Sequence, residues 1–312
     1  PAGDIMLAVL SDEEEGGLYG AKYLVEQYPD LFNGVRYALG EFGGASMYLA
    51  GKTFYPIQIA EKQICALKVT IRGPAGHGSL TMRGGTMARL ADFLSKLDKR
   101  QLPVHVTPAT YQMITAIASA LPKFQGSILQ LLLRPKLTNI LLRILGEQIR
   151  SFEPLFRNTV NATIVQGGEK INVIPSEVNL ALDGRLLPGH SPQELIDELY
   201  ELVGGGVEIE LIHHDPGPAE VDMGLYDLLA GVLCEFDPQG IPVPMLLPAV
   251  TDGRFFSRLG IQTYGFTPMK LPTDFRFFET VHAANERVPM EALDFGTQAI
   301  YRLFQRYGEA IS

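Results

Sequence analysis

The 312-residue chain has no tryptophan and only two cysteines, Cys65 and Cys234. Cysteines this few and this far apart form no CxxC pair and no disulfide framework, so they leave the compartment undecided. Positive charge is also scarce: 26 Lys and Arg against 35 Asp and Glu leave a net charge of −9. That argues against a nucleic-acid partner, which would want a basic surface. Long apolar runs are missing as well. The most apolar region, 128–145, is interrupted by Arg134, Pro135, Lys136 and Arg143. It is a poor bilayer span and reads as an amphipathic or lid helix, so no membrane contact is expected. Several reaction signatures are absent. There is no phosphate loop, no His-Glu-x-x-His and no dinucleotide glycine pattern, and Gly44-Ala45-Ser46-Met47-Tyr48 misses the nucleophile elbow at its last position.

What the chain does have is a globular composition, 46% hydrophobic and 20% charged, and enough length for one large or two medium domains. It also has an acidic turn, Ser11-Asp12-Glu13-Glu14-Glu15-Gly16-Gly17. The apolar run Ile5–Leu10 before it reads as a buried strand, and Leu18–Gln27 after it as a helix. Open α/β sheets place ligands on such strand-to-helix turns. Adjacent carboxylates repel one another, so a cluster kept from bulk water must take up protons or meet a cation. Acids at a helix start also simply favour the helix dipole, and that ordinary reading fits Glu15.

The pattern further along predicts a strand at 35–39 that ends in Glu41 and Gly43-Gly44. A β-branched strand at 63–72 runs into the glycine turn Gly76-His77-Gly78-Ser79 and a helix at 87–97. Strands at 161–166, 178–182 and 207–212, with a helix at 192–202, complete a strand–helix–strand–strand–helix–strand order. Helices at 226–234 and 290–307 and a strand at 263–266 return to α/β character. The expected architecture is α/β. A catalytic, metal-binding domain of residues 1–61 and 215–312 is interrupted by an α+β domain of residues 62–214, which carries a helical insertion at about 104–158.

Of the six histidines, His282 lies in the polar loop Glu279–Arg287, where a neutral imidazole beside carboxylates makes a good zinc ligand. His105, His190, His213 and His214 read as hydrogen-bonded surface groups. His77 either caps its glycine turn or does chemistry.

Seven motifs occur in an order that resembles the M20 metallopeptidases, the aminoacylase, carboxypeptidase and deacylase type of binuclear zinc hydrolase. They are Ser11–Gly17, Ala38-Leu39-Gly40-Glu41, Gly76-His77-Gly78-Ser79, Lys170–Pro175, Asp183-Gly184-Arg185, Thr251–Phe256 and His282–Arg287. The helical insertion and Arg185–Gly189 look most like the carboxypeptidase S branch. The resemblance implies a zinc-peptidase-like catalytic domain with an inserted ferredoxin-like lid and dimerisation domain, and metal-dependent hydrolysis of an amide bond in an N-acyl amino acid or short peptide. By that resemblance Glu13 is the general acid/base. Glu14 and His282 hold one zinc and Glu41 the second. His77 reaches the oxyanion from the partner subunit, Asn172 and Arg185 hold substrate, and Arg254 is a further anion-binding candidate. Cobalt or manganese could replace zinc, the assembly is a homodimer through the lid, and the expected location is cytoplasmic.

Family members carry a His-x-Asp motif and a metal-bridging aspartate ahead of the acidic turn, and this sequence begins after both. The catalytic domain is therefore expected to be N-terminally truncated, with two Zn2+ in the full-length protein and one or none here. Two other readings follow from the same residues: a catalytically incomplete family member that serves as a dimerising interaction module, and a related metalloaminopeptidase.

Overall fold

The computed structural model describes residues 3–144, 152–218 and 220–310. In chain order its strands are β1 (Tyr37–Gly40), β2 (Met47–Leu49), β3 (Lys52–Glu61), β4 (Gln63–Arg72), β5 (Gly76–His77), β6 (Thr159–Gln166), β7 (Val173–Ile174), β8 (Glu177–Leu186), β9 (Glu208–Asp215), β10 (Ile241–Leu247) and β11 (Gln262–Gly265). The helices are α1 (Ala21–Gln27), α2 (Thr86–Lys99), α3 (Pro108–Ala120), α4 (Lys123–Gln130), α5 (Pro135–Ile144), α6 (Pro192–Val203), α7 (Tyr226–Phe236), α8 (Gly253–Phe256), α9 (Phe277–Thr280) and α10 (Met290–Ala310). They sort into two compact units. One is Pro1–Glu61 with Pro108–Arg134 and Glu220–Ser312, and the other is Lys62–Thr107 with Pro135–Ala219.

The first unit is built on a sheet ordered β1-β11-β3-β10, with β2 paired to β3. Strands β1 and β11 run parallel, as do β10 and β3. In β3 the run Phe54–Ala60 is buried on both faces, as expected of a central strand covered by helices. Helix α7 lies on β3 and β10 and packs against α10, while α3 covers β10. Glu41 follows the C-terminal end of β1, and Asp252 stands a few residues beyond the end of β10.

The second unit is a four-stranded antiparallel sheet ordered β6-β8-β4-β9. Burial alternates strictly along β8, the mark of a sheet with one face on the core. Cys65, Leu67, Val69 and Ile71 of β4 and Val178, Leu180, Leu182 and Leu186 of β8 bury that face, and Phe93 of α2 with Leu195 and Leu199 of α6 cover it. Helix α6 starts on a capping box: Ser191 Oγ accepts the Glu194 N–H, and Glu194 Oε2 accepts the Ser191 N–H at 2.6 Å. The βαββαβ connectivity and this strand order are ferredoxin-like.

Two expectations are corrected. Ile5–Leu10 forms no strand, and Leu7 and Val9 stay 85% and 86% exposed. An apolar run becomes a buried strand only when neighbouring strands complete its hydrogen-bond ladder, and no described strand lies beside this one. The helical insertion, expected within 62–214, is split. Residues 108–134 belong to the first unit because α3 buries Ala109, Met113, Ile114, Ile117 and Ala118 and packs on β10. Residues 135–144 and 152–158 belong to the second unit, and the part of the insertion at 145–151 lies outside the described residues.

Candidate functional site

The acidic turn is held by its own first acid. Asp12 has φ 54°, and its carboxylate accepts the N–H groups of Tyr19 at 2.9 Å and Gly20 at 2.8 Å. Those bonds keep its carboxyl below the ordinary range. Glu13–Glu15 then form a single 3-10 turn, which closes when the Gly16 N–H meets the Glu13 carbonyl. Gly17 has φ 66°, and a Cβ there would collide with the Asp252 carboxylate, so the turn packs directly on the segment after β10.

Across this turn comes the loop before α10. His282 Nε2 lies 3.0 Å from Glu14 Oε1, both side chains being largely exposed. The Glu41 side chain reaches solvent, yet its carboxyl is pushed up to about 7, by partial desolvation first and then by the charges of Glu13, Glu14 and Asp252. Asp252 is raised to about 6, again by burial first and then by Glu13. Its Oδ1 is buried without a hydrogen-bond partner. Glu13, Glu14 and Asp252 are thus each within electrostatic reach of Glu41, with the His282 imidazole against Glu14. The backbone around them is unusual: Asp12, Phe42 and His282 are three of the five described non-glycine residues with positive φ, and each is in or next to this cluster.

The donor chemistry suits a divalent cation: hard carboxylate oxygens plus one imidazole, with mutual repulsion that a cation relieves. The count falls short. Among the described residues no three His, Cys, Asp or Glu side chains converge closely enough to hold an ion. What the described residues bring together is a paired donor set, Glu14 with His282, and Glu41 within electrostatic reach of it. A catalytic zinc takes three protein ligands, and the described residues bring two together.

Arg254 is also corrected. It is 4% exposed, its guanidinium donates to the carbonyls of Thr251 and Gly16 at 2.8 Å each, and it lies over the Phe255 ring. It ties the acidic turn to the segment after β10 and is not open to an anion. Beneath it Glu61, buried and raised to about 7 by that burial, accepts the N–H and hydroxyl of Thr251. A cavity of about 1310 Å3 opens beside Glu14, Glu41 and His282, walled by Leu39, Phe266, Met269, Ile300 and Phe304 and by Arg287. Sequence reasoning missed Asp252 as a member of the acid cluster, and Arg287 as the cation of the cavity. Their places at the end of β10 and five residues after His282 are the signals that could have found them.

In the second unit, β5 pairs with β7 so that His77 opposes Val173, and the Gly78 N–H donates to the Asn172 carbonyl at 2.8 Å. His77 and Asn172 are therefore neighbours at one exposed two-stranded ladder. Arg185, on β8, is paired with Asp183 through Nε at 2.8 Å and Nη2 at 3.1 Å.

A two-unit α/β protein with an inserted ferredoxin-like unit is the class this fold defines. Residues 59–206 match the family model for the M20 peptidase dimerisation domain. The chain is 26% identical over 256 residues to an N-fatty-acyl-amino acid synthase/hydrolase from Homo sapiens, covering 80% of this chain and 50% of that protein. It is 26% identical over 308 residues to a probable carboxypeptidase S-like protein from Dictyostelium discoideum, covering 93% and 57%. A solved M20 family metallo-carboxypeptidase from Sulfolobus solfataricus shares the fold at a TM-score of 0.52 and 15% identity, covering 94% of this chain and 67% of that one. By these matches the chain is similar to the M20 peptidases, and residues 59–206 carry the likeness to their dimerisation domain. It spans 50% and 57% of the length of the two curated relatives.

Proposed function

We propose that this chain serves metal-dependent hydrolysis of an amide bond, with an N-acyl amino acid or short peptide as substrate. The observation that carries the reading is Glu14 paired with His282 at 3.0 Å beside Glu13, Glu41 and Asp252. Glu14 and His282 would hold one divalent ion, zinc being expected, and Glu41 would contribute to a second. A bound ion of this kind supplies Lewis-acid polarisation and a more acidic water. Glu13, beside the pair, takes a proton from the attacking water and delivers it to the leaving amine. His77, reaching in from the partner subunit, donates a hydrogen bond to the developing oxyanion, and Asn172 and Arg185 contact substrate. Arg287 takes the substrate carboxylate in place of the enclosed Arg254. The apolar cavity walls favour a substrate with an apolar acyl group, and a relative named for N-fatty-acyl-amino acids supports that choice. The match to a dimerisation domain supports a homodimer through the second unit.

The test is hydrolysis of a panel of N-acyl amino acids, from acetyl to long-chain acyl, by the 312-residue chain supplied with Zn2+. Release of free amino acid that Glu13→Gln abolishes and a chelator suppresses is the expected result. Release unaffected by either change would overturn it. A second reading, the dimerising module, is favoured by the shortfall of converging donors. It predicts dimers by sedimentation, no retained zinc and no turnover.

A further inference from the structure

The His77 loop carries a detail that the proposed hydrolysis does not use. Ser79 sits two residues on, inside a turn closed by the Leu80 N–H on the His77 carbonyl at 2.9 Å. That turn brings two Ser79 groups onto one imidazole nitrogen: Oγ at 2.8 Å and the backbone N–H at 3.3 Å, both on His77 Nδ1. A backbone N–H only donates, so Nδ1 must accept. A neutral imidazole carries a single proton, which then sits on Nε2. With Nδ1 accepting, the serine hydroxyl also points its hydrogen there. Nε2 has no hydrogen-bond partner among the described residues, and the side chain is exposed. The base of the loop is fixed independently by the β5–β7 pairing and the Gly78-to-Asn172 bond, so the geometry does not depend on Ser79 alone.

We propose that Ser79 is a positioning residue that holds His77 as the Nε2–H tautomer. His77 is thereby committed to donating a hydrogen bond from its outward nitrogen and is unavailable as a base there. The inference rests on the reading of His77 as an oxyanion donor, and it names the residue that makes the imidazole a donor before substrate arrives. Donors set in advance toward developing charge are the ones that lower a barrier.

The test is long-range proton–nitrogen NMR of the full chain labelled with 15N-histidine, at about pH 8.5, where unperturbed imidazoles are neutral. His77→Asn assigns the signals. In the unsubstituted chain, Nδ1 of His77 is expected in the unprotonated range and Nε2 in the protonated range. In Ser79→Ala the two shifts should move toward each other as the second tautomer becomes populated, and Ser79→Thr should restore them. The signals of the other five histidines should stay in place, which reports an intact fold. Where hydrolysis is measurable, Ser79→Ala should lower kcat about tenfold with KM unchanged, less than the about 10²-fold loss for a whole oxyanion donor because the backbone N–H remains. A protonated Nδ1 in the unsubstituted chain, or a Ser79→Ala spectrum identical to it, overturns the proposal. Full hydrolysis by His77→Asn would remove the oxyanion reading of His77 while leaving the tautomer result standing, so the two failures are distinguishable.

Discussion

Glu14 and His282 are 268 positions apart in the chain, yet Oε1 and Nε2 meet at 3.0 Å. The pair is exposed, at 69% and 66% of the two side chains, so as an ion pair it contributes under about 1 kcal/mol. Its value to the protein lies in chemistry. His282→Ala and Glu14→Gln are each expected to leave the urea unfolding midpoint almost unchanged. Each should weaken Zn2+ binding by calorimetry at least about tenfold, because each removes one of only two donors that already meet. Equal zinc binding by all three proteins would remove the pair from the site.

Glu13 shares the turn but not the pairing. Glu13→Gln keeps the shape of the side chain and removes its ability to carry a proton. It is expected to lower kcat by about 10²–10⁴-fold while the zinc content stays constant. Metal analysis beside steady-state kinetics checks both halves. Loss of metal together with activity would make Glu13 a ligand.

Gly43 follows Glu41 by two residues, with φ 69°. A Cβ there would run into the Gly265 carbonyl and lie 2.8 Å from the Gln58 backbone nitrogen, both belonging to rigid strands. Gly43→Ala therefore meets strain and a clash that neither neighbour can relieve. A loss of about 2–4 kcal/mol is expected in urea unfolding, with Glu41 displaced from its neighbours. A variant as stable as the parent would mean that the Phe42–Gly44 turn relaxes freely.

Much of this was legible in the sequence for local reasons. The 63–72 strand and the 192–202 helix declare themselves through local pattern, and they form over Gln63–Arg72 and Pro192–Val203. The acidic turn, Glu41 and His282 could be singled out by residue type and position, and Glu14 and His282 do meet. The failures concern what residues far apart in sequence do to one another. Ile5–Leu10 has the composition of a buried strand, but burial depends on partners that periodicity cannot count. Arg254 has the charge of an anion binder, but its fate was decided by two carbonyls, of Gly16 and Thr251, 238 and 3 residues away. Asp252 joins the acids only through the packing of the Gly17 turn on it, which local pattern does not show.

Lys62 makes a sharper test of the second unit than any surface charge. It is 1% exposed, and Nζ donates to the Arg157 carbonyl at 2.8 Å and to Thr159 Oγ1 at 3.1 Å. Burial, reinforced by the positive charges of Arg185 and Arg157, lowers its ammonium to about 7 from an ordinary value of 10.5. Between those two values the unfolded chain holds a proton that the folded chain lacks, so stability should rise with pH across that window. Below about 7 both states are protonated and the cost of the buried charge is present in full. The buried Glu61 carboxyl titrates in the opposite sense, stability falling as pH rises from 4.5 to about 7, and its effect is complete before the Lys62 window opens. Lys62→Met removes the ammonium but leaves the Arg157 carbonyl short of a donor, which takes back about 1–3 kcal/mol of the gain. The variant is expected to be more stable than the parent by about 1–3 kcal/mol near pH 7 and to lose that advantage toward about pH 9.5. Urea unfolding of both proteins across this range measures the difference directly. A constant difference would mean that Lys62 keeps its ordinary ionisation in the fold, with water reaching Nζ.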